Sequence, residues 1–293
     1  MSVEGCTVIG HGAKGTIWRV SPDTILKVYE DRDALAAIRH EREMARTAFI
    51  LGIPTAISFD VVKVGDRYAS MFELLDCRTL SQLIAEDPSQ MERYARIFTD
   101  LLLQVHSTHV DTKALPDLCG RILSWNDACY PWLSREERHR LSALHASLPV
   151  CDTMLHGDYH TNNVLLQDGK PMLIDMDTLG YGHPIFELAQ IYITYVGFEL
   201  KAPGTVESFI GLSTPLAVRF WDLFLHMYLE GQDERSVQRV QDRCELLAML
   251  RLVSHITRRG LEATPQGEAG LRKALERIHA LLPQIATLDL PRT

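Results

Sequence analysis

One polar segment followed by a short hairpin constrains the fold of this chain more than any other feature. Residues 156–163 read HGDYHTNN, and residues 174–177 read IDMD. Two apolar runs at 164–166 and 171–174 lie between them, separated by the turn signal Asp168-Gly169. The pattern predicts a β-hairpin that brings Asp175 back beside Asn163.

The residue types of this hairpin suit phosphoryl transfer. That reaction needs an Asp that orients the attacking hydroxyl and accepts its proton, and Asn and Asp oxygens that hold Mg²⁺ beside the β- and γ-phosphates. Asp158, Asn163 and Asp175 are the candidates for these tasks.

A metal-dependent hydrolase is an alternative interpretation of the same segment. His156, Asp158 and His160 alternate ligand-type side chains, and Asp175 and Asp177 would complete a zinc or two-metal site. A nucleotide-binding regulator without turnover is a further alternative. Features near the N-terminus distinguish the phosphotransferase from the hydrolase, and the regulator has no support in a missing polar residue.

Three glycines near the N-terminus, Gly10, Gly12 and Gly15, form a G-x-G-x-x-G pattern between two apolar runs. A dinucleotide-binding fold requires a helix at the third glycine, but residues 16–20 alternate like a strand. A Walker loop requires Lys directly after Gly15, where Thr16 stands. The pattern therefore favours a flap of two strands whose backbone amides approach phosphate.

The next strand supplies a cation for the same phosphates. Lys27 interrupts the apolar run 24–29, a position that is unusual for a surface lysine. A helix predicted over 33–51 carries two candidate carboxylate partners, Glu41 and Glu43. Glu41 shares the apolar helical face and Glu43 lies on the wetter one, so Glu41 is the chosen partner.

Together these motifs resemble the aminoglycoside phosphotransferase and choline kinase family, the small-molecule branch of the protein-kinase-like fold. The resemblance covers nearly the whole chain. It implies an α+β fold with two lobes. Residues 1–75 form a small antiparallel-sheet lobe with one helix that binds nucleotide and ends in a hinge, and residues 76–293 form a larger, mainly helical lobe for catalysis and substrate binding.

The resemblance also implies roles for individual residues. Asp158 matches the catalytic base, Asn163 and Asp175 match the Mg²⁺ ligands, and Lys27 matches the lysine that contacts ATP. Asp177 matches a second acid that either binds a second metal ion or braces the loop.

The resemblance also implies, from their position in the hinge, that the Glu73 carbonyl and the Leu75 amide hold adenine. The family expects an Asp at Glu187, where it braces the catalytic loop. Helical periodicity predicts a core helix through the apolar stripe 94–105, and further helices over 134–148, 185–198, 215–228, 237–259 and 267–282. His106 and His109 are interpreted as capping or packing residues.

Composition fits an intracellular globular enzyme, with 293 residues, 46% hydrophobic, and a net charge of −8. An acidic chain without a basic cluster argues against nucleic acid as a partner. The sequence indicates no membrane span and no signal peptide, which places the protein in the cytoplasm. The scattered cysteines predict free thiols, and no obligate protein partner is evident.

The expected activity is transfer of the γ-phosphate of ATP, with Mg²⁺, to a hydroxyl of a small molecule that is aminoglycoside-, choline- or sugar-like. The sequence leaves the acceptor open. Candidates for its site are the acidic and aromatic residues of the later helices: Tyr192, Tyr195, Glu199, Trp221, Asp222, His226, Tyr228 and Glu230. For any one of the aromatics, a place in the helical core is the simpler interpretation.

Overall fold

A computed structural model of the protein describes residues 1–12, 14–74 and 76–291. The chain divides into two compact units, Met1–Thr79 with Asn163–Thr178, and Leu80–Asn162 with Leu179–Thr293. The first unit thus takes in a segment that the predicted lobe boundary between residues 75 and 76 assigns to the second lobe. The assignment of nucleotide binding and catalysis to separate lobes stays a prediction.

The first unit is built on a five-stranded antiparallel sheet with the order β1-β2-β3-β5-β4. Its strands are β1 Thr7–Gly12, β2 Gly15–Ser21, β3 Thr24–Tyr29, β4 Asp60–Val64 and β5 Arg67–Glu73. Helix α1, Leu35–Ile50, follows β3 and buries Ile38, Met44, Ala45 and Ala48. The sheet and the single helix confirm the predicted composition of the N-terminal region.

A second, three-stranded sheet completes this unit, with the order β6-β8-β9. Its strands are β6 Arg78–Thr79, β8 Val164–Gln167 and β9 Lys170–Leu173. The turn between β8 and β9 has positive φ at Asp168 (49°) and Gly169 (76°). Asp and Gly tolerate this conformation, which matches the twist of a two-residue hairpin. The predicted hairpin is therefore present.

The second unit is mainly helical. Its helices are α2 Leu80–Glu86, α3 Met91–His106, α4 Leu118–Cys129, α5 Arg135–Ala146, α6 Ile185–Tyr192, α7 Phe198–Lys201, α8 Thr205–Ile210, α9 Thr214–Tyr228, α10 Glu234–Arg258 and α11 Pro265–Leu281. Strands β7 Met154–Leu155 and β10 Gly180–Tyr181 pair with each other. Helix α10 contacts α4, α6 and α11. The α+β fold class is thus confirmed.

Aromatic rings form the core of this unit around Phe98 of α3. The Phe98 ring lies 4.4 Å from Tyr159, 5.2 Å from Phe220 and 5.3 Å from Phe224, centroid to centroid. The Tyr159 hydroxyl donates to the Phe98 carbonyl at 2.7 Å. Tyr159 directly follows Asp158. Its packing on Phe98 therefore fixes the backbone next to the candidate base against the buried face of α3.

Among the described residues, no helix combines the length and apolarity needed to cross a membrane.

Candidate active site

Lys27 lies on the central strand of the five-stranded sheet and contacts two carboxylates. Its ammonium nitrogen is 3.0 Å from Glu41 Oε1 and 2.6 Å from Asp175 Oδ1. Burial lowers the pKa of the Lys27 ammonium group, but the charges of Asp175 and Glu41 outweigh burial and raise it above its ordinary value. Lys27 is therefore a permanently charged cation, and its partner on α1 is Glu41 and not Glu43.

Tyr29, two residues along the same strand, fixes the other side of Glu41. Its hydroxyl donates to Glu41 Oε2 at 2.7 Å. The Lys27 ammonium nitrogen lies 5.4 Å from the centroid of the Tyr29 ring. Each Glu41 oxygen thus has its own donor, which holds the carboxylate in one orientation.

The β8–β9 hairpin brings Asn163 and Asp175 to the same end. Asn163 precedes β8, and its carbonyl accepts the Ile174 amide at 3.1 Å because Val164 pairs with Leu173. Asp175 has φ 56°, a conformation uncommon for residues other than glycine and often found at functional sites. The backbone therefore turns sharply at the residue that also contacts Lys27.

The chemistry of Asn163 and Asp175 fits Mg²⁺. An amide oxygen and a carboxylate are hard oxygen donors, the type that Mg²⁺ prefers over nitrogen or sulfur. Asn163 is buried and Asp175 is partly exposed, so Asp175 is the one of the two candidate ligands that solvent reaches.

Asp177 lies in a short 3₁₀ turn, Met176–Thr178, directly after Asp175. Its carboxylate forms an ion pair with the ammonium group of Lys14. Its carbonyl oxygen lies 3.2 Å from His40 Nε2 of α1. Lys14 was not predicted as a site residue, although its position between Gly12 and Gly15 was a signal for it.

The three flap glycines are not equivalent. A Cβ at Gly15 would lie 2.2 Å from the Val28 carbonyl oxygen, so the pairing of β2 with β3 requires glycine there. At Gly10 and Gly12 the nearest atoms to a Cβ would be 3.6 Å and 3.7 Å away, an ordinary contact distance. The fold of the chain itself therefore requires only Gly15 of the three.

At the end of β5, Glu73 pairs with Thr24 of β3, and the amide of Leu74 donates to the Asp23 carbonyl at 2.8 Å. Leu75 lies outside the described residues. Adenine binding by the Glu73 carbonyl and the Leu75 amide stays a prediction.

Asp158 belongs to the second unit and lies beside His160, with 3.6 Å between Asp158 Oδ2 and His160 Nε2. Burial raises the pKa of the Asp158 carboxyl, but the close polar contact with His160 opposes it. The charges of His160, His156 and Arg251 add to this, and the net result is a pKa below the ordinary 3.8. Asp158 is therefore a carboxylate at neutral pH.

Glu187, in the first turn of α6, braces the segment before Asp158. Its Oε2 accepts the His156 amide at 3.1 Å and its Oε1 accepts the Gly157 amide at 2.6 Å. His106, the last residue of α3, lies 3.0 Å from Glu187 Oε2 through Nε2. Its Nδ1 lies 2.7 Å from the Tyr228 hydroxyl. The Glu187 side chain, although longer than the Asp that the family expects, thus braces the segment before Asp158. His106 supports Glu187 and is part of the same hydrogen-bonded group.

Several residues considered for an acceptor site are core residues. Tyr192, Tyr195 and Trp221 are buried. The Tyr195 hydroxyl accepts the Thr161 amide and donates to the Thr161 hydroxyl, both at 2.9 Å. Tyr195 therefore supports the loop after Asp158 from within the core and is not available to a substrate.

The cluster expected for a hydrolase is not assembled. Within residues 1–12, 14–74 and 76–291, no three His, Cys, Asp or Glu side chains are grouped to hold a metal ion. The His156 ring is fully buried and packs edge-to-face on Tyr159, with 5.9 Å between centroids. The hydrolase alternative required these side chains to converge: His156, Asp158, His160, Asp175 and Asp177.

Comparison with known families gives one match over most of the chain. The model described as "Phosphotransferase enzyme family" matches residues 5–221. A search of curated protein sequences finds no match.

Solved structures of similar fold include aminoglycoside phosphotransferases. APH(2'')-Ib with ADP bound has a TM-score of 0.59 and 14% identity, covering 94% of each chain. A thermostable mutant of APH(4)-Ia in a ternary complex with ADP and hygromycin B has a TM-score of 0.62 and 13% identity, covering 97% of each chain. The GDP complex of wild-type aminoglycoside 2'-phosphotransferase-IIIa has a TM-score of 0.58 and 14% identity, covering 95% of this chain and 92% of that one. At these identities the likeness shows a common fold.

Proposed function

Because the chain belongs to the phosphotransferase enzyme family, we propose that it is a small-molecule kinase that transfers the γ-phosphate of ATP to a hydroxyl group. The observation that carries this proposal is the contact of Lys27 with both Glu41 and Asp175. A lysine held by a helix carboxylate, next to an aspartate suited to Mg²⁺, is the arrangement that kinases use for the phosphates of ATP.

In the proposed nucleotide complex, Lys27 contacts the α- and β-phosphates and Glu41 keeps its ammonium group in place. The Lys27–Asp175 ion pair of the free chain then gives way, because the phosphates supply a larger negative charge to Lys27. The fold itself does not require glycine at Gly10 or Gly12. We propose that glycine stands at these two positions because the absence of a side chain lets the phosphates approach the backbone amides of the flap.

Mg²⁺ would be held by Asn163 and Asp175, which offer oxygen donors at one end of the β8–β9 hairpin. When bound, the ion neutralises charge on the β- and γ-phosphates. We propose Asp177 as a residue outside this ligand pair, because its carboxylate is already engaged by Lys14.

Asp158 is the proposed catalytic base. Its lowered pKa keeps it able to accept a hydrogen bond from the acceptor hydroxyl and, late in transfer, its proton. A strongly basic group is not needed, because the main task is to point the hydroxyl oxygen at the γ-phosphorus. The brace by Glu187 fixes the backbone just before this residue.

We propose an acceptor of the aminoglycoside-, choline- or sugar-like class. Similar folds have been solved with gentamicin, kanamycin and hygromycin B, each bound to its own enzyme. In this chain, Asp222 in the middle of α9 and Glu230, two residues after the helix ends, are exposed acids that suit a cationic or polyhydroxy ligand.

The test is release of ADP by the purified protein with a panel of acceptors from these three classes, with and without Mg²⁺. We expect one class to stimulate ADP release and Lys27→Ala to weaken ATP binding in isothermal titration calorimetry. Lys170→Ala, at an exposed position of β9 in the same unit, is the matched control. Absence of ATP and GTP binding at millimolar nucleotide would show that the proposal is wrong.

A further inference from the structure

Lys14 lies in the turn of the β1–β2 hairpin, between the paired residues Gly12 and Gly15. From there its side chain reaches the carboxylate of Asp177. Asp177 follows Asp175, the proposed Mg²⁺ ligand, by two positions. The ammonium group of the flap is thus held close to the segment that would receive the terminal phosphate of ATP, although neither residue has a task in the function proposed above.

The backbones of both partners are anchored independently of their ion pair. The Lys14 carbonyl accepts the Glu30 amide at 3.1 Å, just after β3. The Asp177 carbonyl lies 3.2 Å from His40 Nε2. Because both backbones are fixed, the ammonium group can change partner by rotation of the flexible lysine side chain alone.

The ion pair itself is easily exchanged. The Lys14 side chain is 50% exposed and that of Asp177 is 24% exposed. Solvent screens such a pair, and ordering a long side chain offsets much of what remains. A terminal phosphate carries more negative charge and more acceptor oxygens than one carboxylate, so it competes successfully for the lysine.

We propose that Lys14 is a second phosphate-binding cation: Asp177 holds it in the free chain, and it transfers to the terminal phosphate when ATP binds. The inference rests on the proposed kinase function. Lys27 serves the α- and β-phosphates from the sheet, and Lys14 serves the γ-phosphate from the flap. During transfer, Lys14 stabilises the charge on the oxygens of the moving phosphoryl group.

The test compares binding of a non-hydrolysable ATP analogue, ADP and AMP, each with Mg²⁺, by isothermal titration calorimetry. Lys14→Met should weaken binding of the ATP analogue about tenfold, the usual scale for a charge-assisted hydrogen bond, and change ADP and AMP binding less than about twofold. Lys14→Arg should retain the wild-type preference for the ATP analogue over ADP. Lys170→Met, on an exposed position of the same unit, is the control and should match wild type.

Asp177→Asn should change the affinity for the ATP analogue in the opposite direction to Lys14→Met. Removing the carboxylate that competes for Lys14 should strengthen binding of the ATP analogue by roughly two- to fivefold. If Asp177→Asn instead weakens Mg²⁺-dependent binding, Asp177 is a metal ligand and the inference is wrong.

Two further outcomes separate this inference from the proposed function. Equal losses for the ATP analogue and ADP in Lys14→Met, with a wild-type protein that binds both, would overturn the role of Lys14 alone. A wild-type protein that binds no nucleotide would overturn the kinase function, and the inference with it. Thermal melting of each variant confirms that it is folded.

Discussion

Asp158 and Asp175 are both candidate site carboxylates, but their surroundings give them different chemistry. Asp175 is 2.6 Å from a lysine in the first unit, whereas Asp158 lies beside His160 in the second. The first arrangement suits a residue that binds a metal ion next to the phosphates of ATP. The second lowers the pKa of the Asp158 carboxyl and keeps it ionised, which suits a base that must accept a hydrogen bond from a hydroxyl.

This difference predicts separable effects. Asp158→Asn should keep ATP affinity within about twofold and lower kcat by about 10²-fold or more, the scale of a lost general base. Asp175→Asn should abolish Mg²⁺-dependent nucleotide binding, because the neutral amide no longer offsets the charge of the ion. Calorimetry and ADP release measure the two effects. Asp168→Asn, in the exposed hairpin turn where Asn also tolerates positive φ, is the control.

A wild-type kcat for Asp158→Asn, with an acceptor that stimulates the parent enzyme, would show that another residue positions the hydroxyl.

At the residue scale, the sequence predicted the contacts of a side chain where a local periodic pattern determines the direction in which that side chain points. The helical period of residues 33–51 selected Glu41 over Glu43, and the structure places Glu41 3.0 Å from Lys27. The Lys14–Asp177 ion pair joins residues 163 positions apart. No local periodicity reports such a pair, because it depends on how the flap and the hairpin are brought together by the whole unit.

Three helix ends converge on the segment before Asp158. Glu187 lies in the first turn of α6, His106 ends α3 and Tyr228 ends α9. Glu187 has no exposed surface, so its carboxylate depends on its donors, which are the amides of His156 and Gly157 and the ring of His106. The relative placement of these helices is thereby linked to the geometry of the loop that carries Asp158, the proposed base.

Removing one donor or acceptor from this chain of hydrogen bonds predicts graded losses. Glu187→Gln should lower the free energy of unfolding by about 2–3 kcal/mol, because an amide cannot accept charge-assisted bonds at both positions. Tyr228→Phe should cost about 1 kcal/mol, since only the outermost hydroxyl is lost. Chemical denaturation measures both. Tyr130→Phe, whose hydroxyl meets Ser142 at 3.2 Å at the surface, should cost less than about 0.5 kcal/mol.

An unchanged free energy of unfolding in Glu187→Gln would mean that the brace contributes nothing to stability.

At the element scale, strong amphipathic patterns gave helix positions within a few residues. The helix predicted over 215–228 is Thr214–Tyr228, and the one over 267–282 is Pro265–Leu281. Helix α4, Leu118–Cys129, was not predicted. Its buried stripe contains a polar residue, Asn126, and Gly120 lies in its first turn, so the apolar periodicity is interrupted.

On the scale of the whole molecule, the fold class followed from motifs that each fix an element: a glycine hairpin, a strand lysine, a helix carboxylate and a ligand-bearing hairpin. These motifs belong to the first unit or to the loop that leads into it. The acceptor site could not be predicted from these motifs. Aromatic residues of the later helices proved to be core, as with Tyr195 and Trp221, and composition alone does not distinguish a ring that packs from a ring that binds.

The second unit also contains a buried histidine that makes its stability dependent on pH. His145 of α5 is 8% exposed, and its ring stacks on Phe186 with 6.2 Å between centroids. Among the described residues, neither ring nitrogen has a hydrogen-bond partner. Burial lowers the pKa of His145 from its ordinary 6.5 to about 4. The folded protein therefore holds this ring neutral at pH values where an unfolded chain protonates it.

Because the folded pKa lies below the unfolded one, the contribution of His145 is fully present above pH 6.5 and is lost as pH falls toward about 4. His145→Phe, which keeps a ring against Phe186, should remove about 2 kcal/mol of the fall in unfolding free energy between pH 7.5 and 4.5. Urea denaturation at the two pH values measures this difference. His139→Phe, exposed on the same helix, should leave the pH dependence unchanged. A pH dependence of His145→Phe that parallels wild type would contradict the prediction.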